Sequence, residues 1–555
     1  MCKLLLTPQP APEHHEPPTA AANAKGETVG NRKLPVLLAL AAALLIAPLL
    51  AINKPATAQP AALKQRADEI TYHTVTEIKQ ARTRGKVQFA NADTASTTLQ
   101  ASGVASGSWY KQCTLPSGFN PIHASQQPDG TLLFPIGSAN STGNFDAGTF
   151  VMYRFNPSTC SSTRLATPVD MFCNVHIKNA SGNTYVLGGT AQYDPFHGLA
   201  TLYEYDWKTR TFSERPSIPD GRWYPGAWYR YSKTYASWGI FTLSGLGSDG
   251  NLNTRAEFYS EREQRWYRLP YDYAVETYPQ GVPTTGNNLF LSGETFSGDN
   301  PTPGILNPET GSFRPVQGLP AGERSMGATF FAPGSSGRSV IAAGGGSAST
   351  AKVNLYVSSP AYTTGPSLAR ATRYLSNTAL WDGRRLLAGG EDRSGNPLHY
   401  SYVYGFSSMV RTANTAYSHQ YHSTLWTQPS GRPCLAGGNP RRGVVQPAVE
   451  CFRPWYEAYT RPAITSAPST ITRGQAFSLG VSWVSGTSRK EIHFFPLTDT
   501  THQSEAQNGD YKATLTTTGG VVNTPSTLMP PGYYFIVAID SRGVPSKAVI
   551  RQLVG

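Results

Sequence analysis

The chain has 555 residues, enough for several domains with cores of their own. Only 15% of residues are charged, while glycine, proline and tyrosine are plentiful, which argues against long helices and for many short strands and turns. The net charge of +12 either draws the protein to anionic surfaces such as extracellular polysaccharide or serves solubility alone, and no basic run or aromatic-basic stripe points to nucleic acid.

Residues 1–33 are polar and rich in proline and alanine, the composition of a disordered tail. Residues 34–52 carry no charge, and their 19 positions just suffice for a membrane-spanning helix. Arg32 and Lys33 on the N-terminal flank keep that end in the cytoplasm. A transmembrane anchor over 34–53 is therefore predicted; the small residues Ala56-Thr57-Ala58 leave a cleaved signal peptide as the alternative. On both readings the bulk lies outside the cytoplasm, membrane-anchored or secreted. Residues 54–105 read as a stalk, with helix formers between Ala61 and Arg84.

Of six cysteines, Cys2 belongs to the cytoplasmic tail, which leaves an odd five in an oxidising space. Cys113 and Cys160 bracket one repeat and Cys434 and Cys451 share another, so two disulfides are expected. Cys173 is left over, either buried and inert or engaged in a different bond.

From about residue 106 short apolar runs end in glycine signals. There are seven, at Gly137, Gly188, Gly245, Gly293, Gly344, Gly389 and Gly437, spaced by roughly 45 to 57 residues. That period is close to the blades of kelch-type propellers. Each unit reads as four short strands, with turns such as Pro128-Asp129-Gly130 and Trp381-Asp382-Gly383. A lone blade cannot bury both faces, whereas seven arranged radially can. The prediction is all-β: a seven-bladed kelch-type β-propeller over 106–457, its last blade completed by the segment from Ser106 to Leu115. The repeat stops near Arg453-Pro454-Trp455. Alternating segments at Phe477–Val484, Glu491–Phe495, Tyr511–Thr516 and Tyr533–Ile539 then predict an immunoglobulin-like β-sandwich over 458–555.

In such an array, residues at one offset before each glycine signal gather at one end of the axis. Those positions hold Ile122-His123, Phe172-Cys173, Trp223-Tyr224, Tyr278, Arg324, Arg373-Tyr374 and Tyr421-His422. Core positions would show Val, Leu or Ala, so this set reads as a site; the bland alternative is a plug of aromatic rings. Tyr421 and His422 are adjacent and would point oppositely on a regular strand. The backbone is expected to bend there, at the strand's start.

Several of these runs resemble the copper radical oxidases, the glyoxal oxidase and galactose oxidase family. They are Phe172-Cys173-x-x-His176, Gly221-Arg222-Trp223-Tyr224-Pro225, and Tyr421-His422-Ser423 followed by Gly437-Gly438-Asn439-Pro440. Thr500-Thr501-His502 is similar to the family's Thr-His ligand motif, and Pro530-Pro531-Gly532-Tyr533-Tyr534 to its closing signature. The resemblance covers about residues 106–555. It implies a Cu(2+) site held by Tyr224, Tyr421, His422 and His502, with a protein-derived Cys173–Tyr224 thioether radical. It implies that Tyr421 takes the substrate's proton while the Tyr224 radical removes a hydrogen atom, with dioxygen reduced to hydrogen peroxide. His176, His419 and His493 have no ligand role on this reading. Two imidazoles and two phenols suit Cu(II).

Galactose oxidase stacks a tryptophan over its radical tyrosine from a glycine-rich turn. Here that turn, Ser244 to Gly250, has none, and the carbohydrate-binding domain is missing. Both departures favour the glyoxal oxidase-like branch, acting on small aldehydes as hydrates. A primary-alcohol or galactose oxidase-like enzyme acting on extracellular glycans is the alternative. A non-catalytic kelch binding protein, which would bind no copper, is the second. Arg324, Arg373 and Tyr278 are expected to line the pocket.

Overall fold

The structure, a computed structural model, describes residues 107–555 apart from 276, 294–301, 319–325, 336, 346–347, 407, 503, 506–510, 516–520 and 524–528. The expected tail, anchor and stalk lie outside the described residues, as does Arg324. Among the described residues no helix is long and apolar enough to cross a membrane.

The architecture is nearly all β. Among the described residues seven sheets follow one another, each built on an antiparallel meander of four strands, with two further strands added to the first. Their first strands are His123–Gln126, Val175–Lys178, Gly226–Ser232, Gln280–Pro283, Gly327–Phe331, Ser376–Ala379 and Ser423–Thr427. The seventh sheet takes its fourth strand from the opposite end of the chain: Ser108–Thr114 pairs antiparallel with Ala448–Arg453. The expected closing segment is thus in place, and its ladder binds the start of the repeat array to its end.

Local chemistry explains the turns. In Pro128-Asp129-Gly130, the Asp129 carboxylate accepts the Thr131 N–H at 3.0 Å and Gly130 takes φ +82°. In Trp381-Asp382-Gly383, Asp382 accepts the Arg384 N–H at 3.1 Å and Gly383 takes φ +85°. Aspartate supplies the acceptor two residues back, and glycine supplies the left-handed backbone without a Cβ clash.

The Gly-Gly signals have a second role. A Cβ on Gly437 would stand 2.8 Å from the His422 carbonyl, and one on Gly188 would stand 2.2 Å from the carbonyl of Arg222, ahead of the next sheet's first strand. Bare glycine backbone therefore lets the second strand end flat against the loops that lead into the first strands. Those loops carry the offset residues singled out above.

Two disulfides form as expected, Cys113–Cys160 and Cys434–Cys451, and Cys173 is free and buried. After the array a seven-stranded sheet is built around Arg489–Pro496 and Gly532–Asp540, with a separate pair Ala463–Ser466 and Gly480–Ser482. The strand expected over 477–484 is broken in two, Ala476–Ser478 and Gly480–Ser482, each pairing with a different partner. The C-terminal sheet packs on the sixth and seventh sheets, where Trp381 lies 4.9 Å from both Phe495 and Phe535.

One C-terminal hairpin leaves its own sheet. Strand Asp499–Thr501 adds to the first sheet, pairing antiparallel with His123–Gln126 in the register His123↔Thr501 and Ser125↔Asp499. A buried ion pair locks the register: Lys178 Nζ stands 2.5 Å from Asp499 Oδ1, with both side chains almost wholly removed from solvent.

Candidate metal centre

A residue one or two positions before the first strand is left-handed in sheet after sheet. Cys173, Tyr224, Tyr278, Met326, Tyr374 and His422 have φ between 44° and 67°. Each such residue costs about 1–2 kcal/mol over ordinary backbone, and strain of this kind gathers at functional sites. Here it turns consecutive side chains the same way. Tyr421 and His422 accordingly lie side by side, ring centroids 3.7 Å apart, immediately before strand Ser423–Thr427. Neighbouring bends are tied together by backbone bonds. Tyr224 N donates to Cys173 O at 3.1 Å, Tyr278 N to Tyr224 O at 2.8 Å, and Tyr374 N to Met326 O at 2.6 Å.

The five residues implied by the resemblance meet at one place. Tyr224 Oη lies 3.1 Å from His502 Nε2 and 3.4 Å from His422 Nε2, and it shares a hydrogen bond with Tyr421 Oη. The buried Cys173 thiol lies close enough to Tyr224 for each side chain to perturb the other's ionisation. His502 arrives from the C-terminal hairpin, with φ +46° and its carbonyl held by Gln280 Nε2 at 3.2 Å.

Both imidazoles are oriented by the nitrogen that faces away. His422 Nδ1 is 2.6 Å from Asn439 Oδ1, and the Asn439 amide is itself set by its Nδ2 donating to Val444 O. Nδ1 must carry the hydrogen there, which leaves the Nε2 lone pair facing the phenols. His502 makes the corresponding bond to Thr501 Oγ1 at 2.7 Å. Burial holds both rings neutral: His422 is pushed down to about 3 despite the Asn439 bond, and His502 is also pushed well down. Burial likewise pushes the phenols of Tyr224, Tyr278 and Tyr421, and the thiol of Cys173, well up.

Other expected residues take different places. Tyr278 lies against Tyr224 at 4.3 Å and against His502 at 4.4 Å, walling the donor set. Arg373 is half-buried, its backbone paired with Glu391. His176, His419 and His493 stay outside the donor set, bound to Ala124 O, Glu450 and Glu491 respectively. The glycine-rich turn 244–250 indeed offers no indole, yet the phenol is covered. Trp223, one residue earlier, stacks flat on Tyr224 at 3.8 Å and 3°, and Phe196 stacks on Trp223 at 4.4 Å. Sequence reading missed this cover, together with Asn439 and Thr501, although all three residues sit in the motifs themselves. Among the described residues no three His, Cys, Asp or Glu side chains group to hold a metal; half of this donor set is tyrosine.

Neutral buried imidazoles make stability depend on pH. The folded chain excludes protons from His123, His176 (about 4), His422 (about 3) and His502, while in the unfolded chain each takes one up below about 6.5. Their contribution is complete above pH 6.5 and is lost as pH falls toward the folded values. Asp170, raised to about 6 by burial, works in the opposite sense. Below pH 6.5 the unfolded state then binds more of these protons than the folded chain does, and stability falls with pH. Thermal melts of the copper-free protein are expected to fall steeply between pH 6.5 and 5; a flat profile would contradict the neutral-imidazole assignment.

A solved structure of similar fold is described as a novel fungal alcohol oxidase with catalytic diversity among the AA5 family, in complex with copper. The alignment has a TM-score of 0.67 and 16% identity, and it covers 81% of this chain and 100% of that one. No protein-family model and no curated protein matches the chain.

Proposed function

We propose that this chain is a copper radical oxidase: an extracytoplasmic enzyme that oxidises a small aldehyde, as its hydrate, with dioxygen and releases hydrogen peroxide. The observation that carries the reading is the donor set itself. Two imidazole Nε2 atoms, oriented and neutral, face two phenol oxygens, with a free buried thiol beside one of them. Mixed nitrogen and oxygen donors of this kind suit Cu(II). His422, His502, Tyr224 and Tyr421 would hold the metal. Copper, when bound, supplies orientation of the substrate oxygen and a place for one of the two electrons.

The protein side chains do the rest. Tyr421 accepts the substrate hydroxyl proton at Oη. Tyr224, oxidised by one electron, accepts the hydrogen atom from carbon at the same cluster of oxygens. The Trp223 ring keeps water off one face of Tyr224. The thioether replaces the Cys173 S–H and one Tyr224 ring C–H by an S–C bond, and dioxygen takes up the two hydrogens. A second reading of the substrate, consistent with an AA5 neighbour described as an alcohol oxidase, is a primary alcohol, for which the same proton and hydrogen-atom transfers serve. Oxygen uptake over a panel of small aldehydes and primary alcohols separates the two.

The finer architecture belongs to the same proposal. Seven successive four-stranded sheets, linked bend to bend by backbone bonds, fit a seven-bladed propeller over 106–457, and the C-terminal sheets fit an immunoglobulin-like sandwich over 458–555. Two disulfides suit an oxidising compartment.

Intact-mass analysis after copper loading in air tests the site. The protein is expected to lose two hydrogens, and Cys173→Ser is expected to abolish that loss. An unchanged mass in the parent protein would remove the radical assignment.

A further inference from the structure

We propose that His123 is a positioning residue that couples the two arms of the site, the cysteine to be cross-linked and the histidine brought from the C-terminal hairpin. The inference rests on the copper reading above and concerns a residue outside the donor set.

His123 is fully buried, opens the first sheet and pairs in register with Thr501. Its Nε2 lies 3.2 Å from the Cys173 backbone nitrogen. A backbone N–H can only donate, so Nε2 is the acceptor and carries no hydrogen. The hydrogen of the neutral ring is then on Nδ1, which stands 2.7 Å from Thr501 Oγ1. His502 Nδ1 stands 2.7 Å from the same oxygen. With its Nε2 turned to the phenols, His502 also donates from Nδ1. Thr501 Oγ1 therefore accepts two hydrogen bonds and must send its own hydrogen elsewhere. The Tyr278 phenol interacts with the Thr501 side chain and donates its own hydrogen to Asn174 O at 2.7 Å, so its oxygen can serve as that acceptor.

Every donor in this chain has one acceptor, and the direction of each bond follows from the first. The Cys173 N–H sets the tautomer of His123. His123 and His502 together fill the Thr501 hydroxyl, which holds the His502 ring with Nε2 inward. The same imidazole steadies the left-handed backbone at Cys173, φ +63°, from which the thiol reaches Tyr224. Partners that orient a metal-binding imidazole typically contribute 10–100-fold in metal affinity.

The two ends of the ring can be tested separately, because asparagine places an amide near Nδ1 and glutamine places one near Nε2. In the full-length protein, His123→Asn keeps a donor for Thr501 and loses the acceptor for Cys173. It is expected to bind Cu(II) within a few-fold of the parent and to cross-link more slowly at saturating copper. His123→Gln keeps the acceptor for Cys173; it is expected to cross-link normally at saturating copper and to bind Cu(II) about 10–100-fold more weakly in chelator competition. Thr501→Val, which removes the shared hydroxyl from the other strand, is expected to match the glutamine variant and guards against a misfolded His123 variant. Parent-like behaviour in all three variants overturns the inference, as does equal loss of both properties in both His123 variants. If the parent neither binds Cu(II) nor loses two hydrogens, the functional reading falls together with the inference. If the parent does both, only the role of His123 is at stake.

Discussion

Tyr421→Phe is expected to lower turnover by about 10²–10⁴-fold, the usual contribution of a positioned acid or base. The change removes one oxygen and leaves the ring where it is, held by Tyr374 at 4.7 Å and by His422 at 3.7 Å. The Tyr224 hydroxyl loses its hydrogen-bond partner but keeps His502 at 3.1 Å. Cross-linking between Cys173 and Tyr224 should therefore proceed, and the two-hydrogen mass loss should persist. A variant that cross-links and binds Cu(II) like the parent in chelator competition, but barely turns over, assigns the proton transfer to Tyr421. A variant with parent-like oxygen uptake would take that role away from it. Burial pushes the Tyr421 phenol well up in the metal-free protein, so its hydroxyl is protonated there at neutral pH. A positive metal in contact with the oxygen is what would make a phenolate base available.

Lys178→Ala is expected to destabilise the protein by about 3–5 kcal/mol, the range for breaking one side of a buried ion pair. Lys178 Nζ lies 2.5 Å from Asp499 Oδ1 and 2.9 Å from Ser125 Oγ, with almost no access to solvent. Desolvation holds the ammonium below its ordinary pKa while the Asp499 carboxylate beside it works to restore it. Removing the ammonium leaves a buried carboxylate whose remaining support is the backbone N–H of residue 178, at 3.0 Å in the parent. Asp499 begins the strand that ends one residue before His502, so the loss should also weaken copper binding. The double variant Lys178→Met with Asp499→Leu removes both charges and should recover much of the stability, because neither charge is then stranded. Chemical denaturation of Lys178→Met, Asp499→Leu and the double variant measures the coupling. Additive losses would mean that the pair does not act as a unit.

Much of this molecule is legible along the chain because repetition is a property of sequence. Glycines such as Gly137, Gly188, Gly389 and Gly437 recur since a second strand must end where no Cβ fits, and the spacing of all seven signals announces seven similar sheets. The bend at Tyr421-His422 is equally local, since two adjacent residues can face one way only if the strand has not yet begun. Odd cysteine arithmetic isolates Cys173, and the two disulfides follow from which cysteines share a repeat.

What the chain order could not decide is direction in space. Trp223 is as visible in sequence as Tyr224, but only the left-handed turn at Tyr224, φ +62°, lays one ring flat on the other. His123 occupies the same offset as the donors, yet its ring turns toward Thr501 and the backbone of Cys173, because an inserted strand from nearly 380 residues away claims that edge of the first sheet. Sequence determined which donor types exist and how they repeat, since composition and period are written residue by residue. Tertiary structure decided which nitrogens and oxygens face one another, since that depends on hydrogen bonds between segments whose separation in sequence carries no record of their contact.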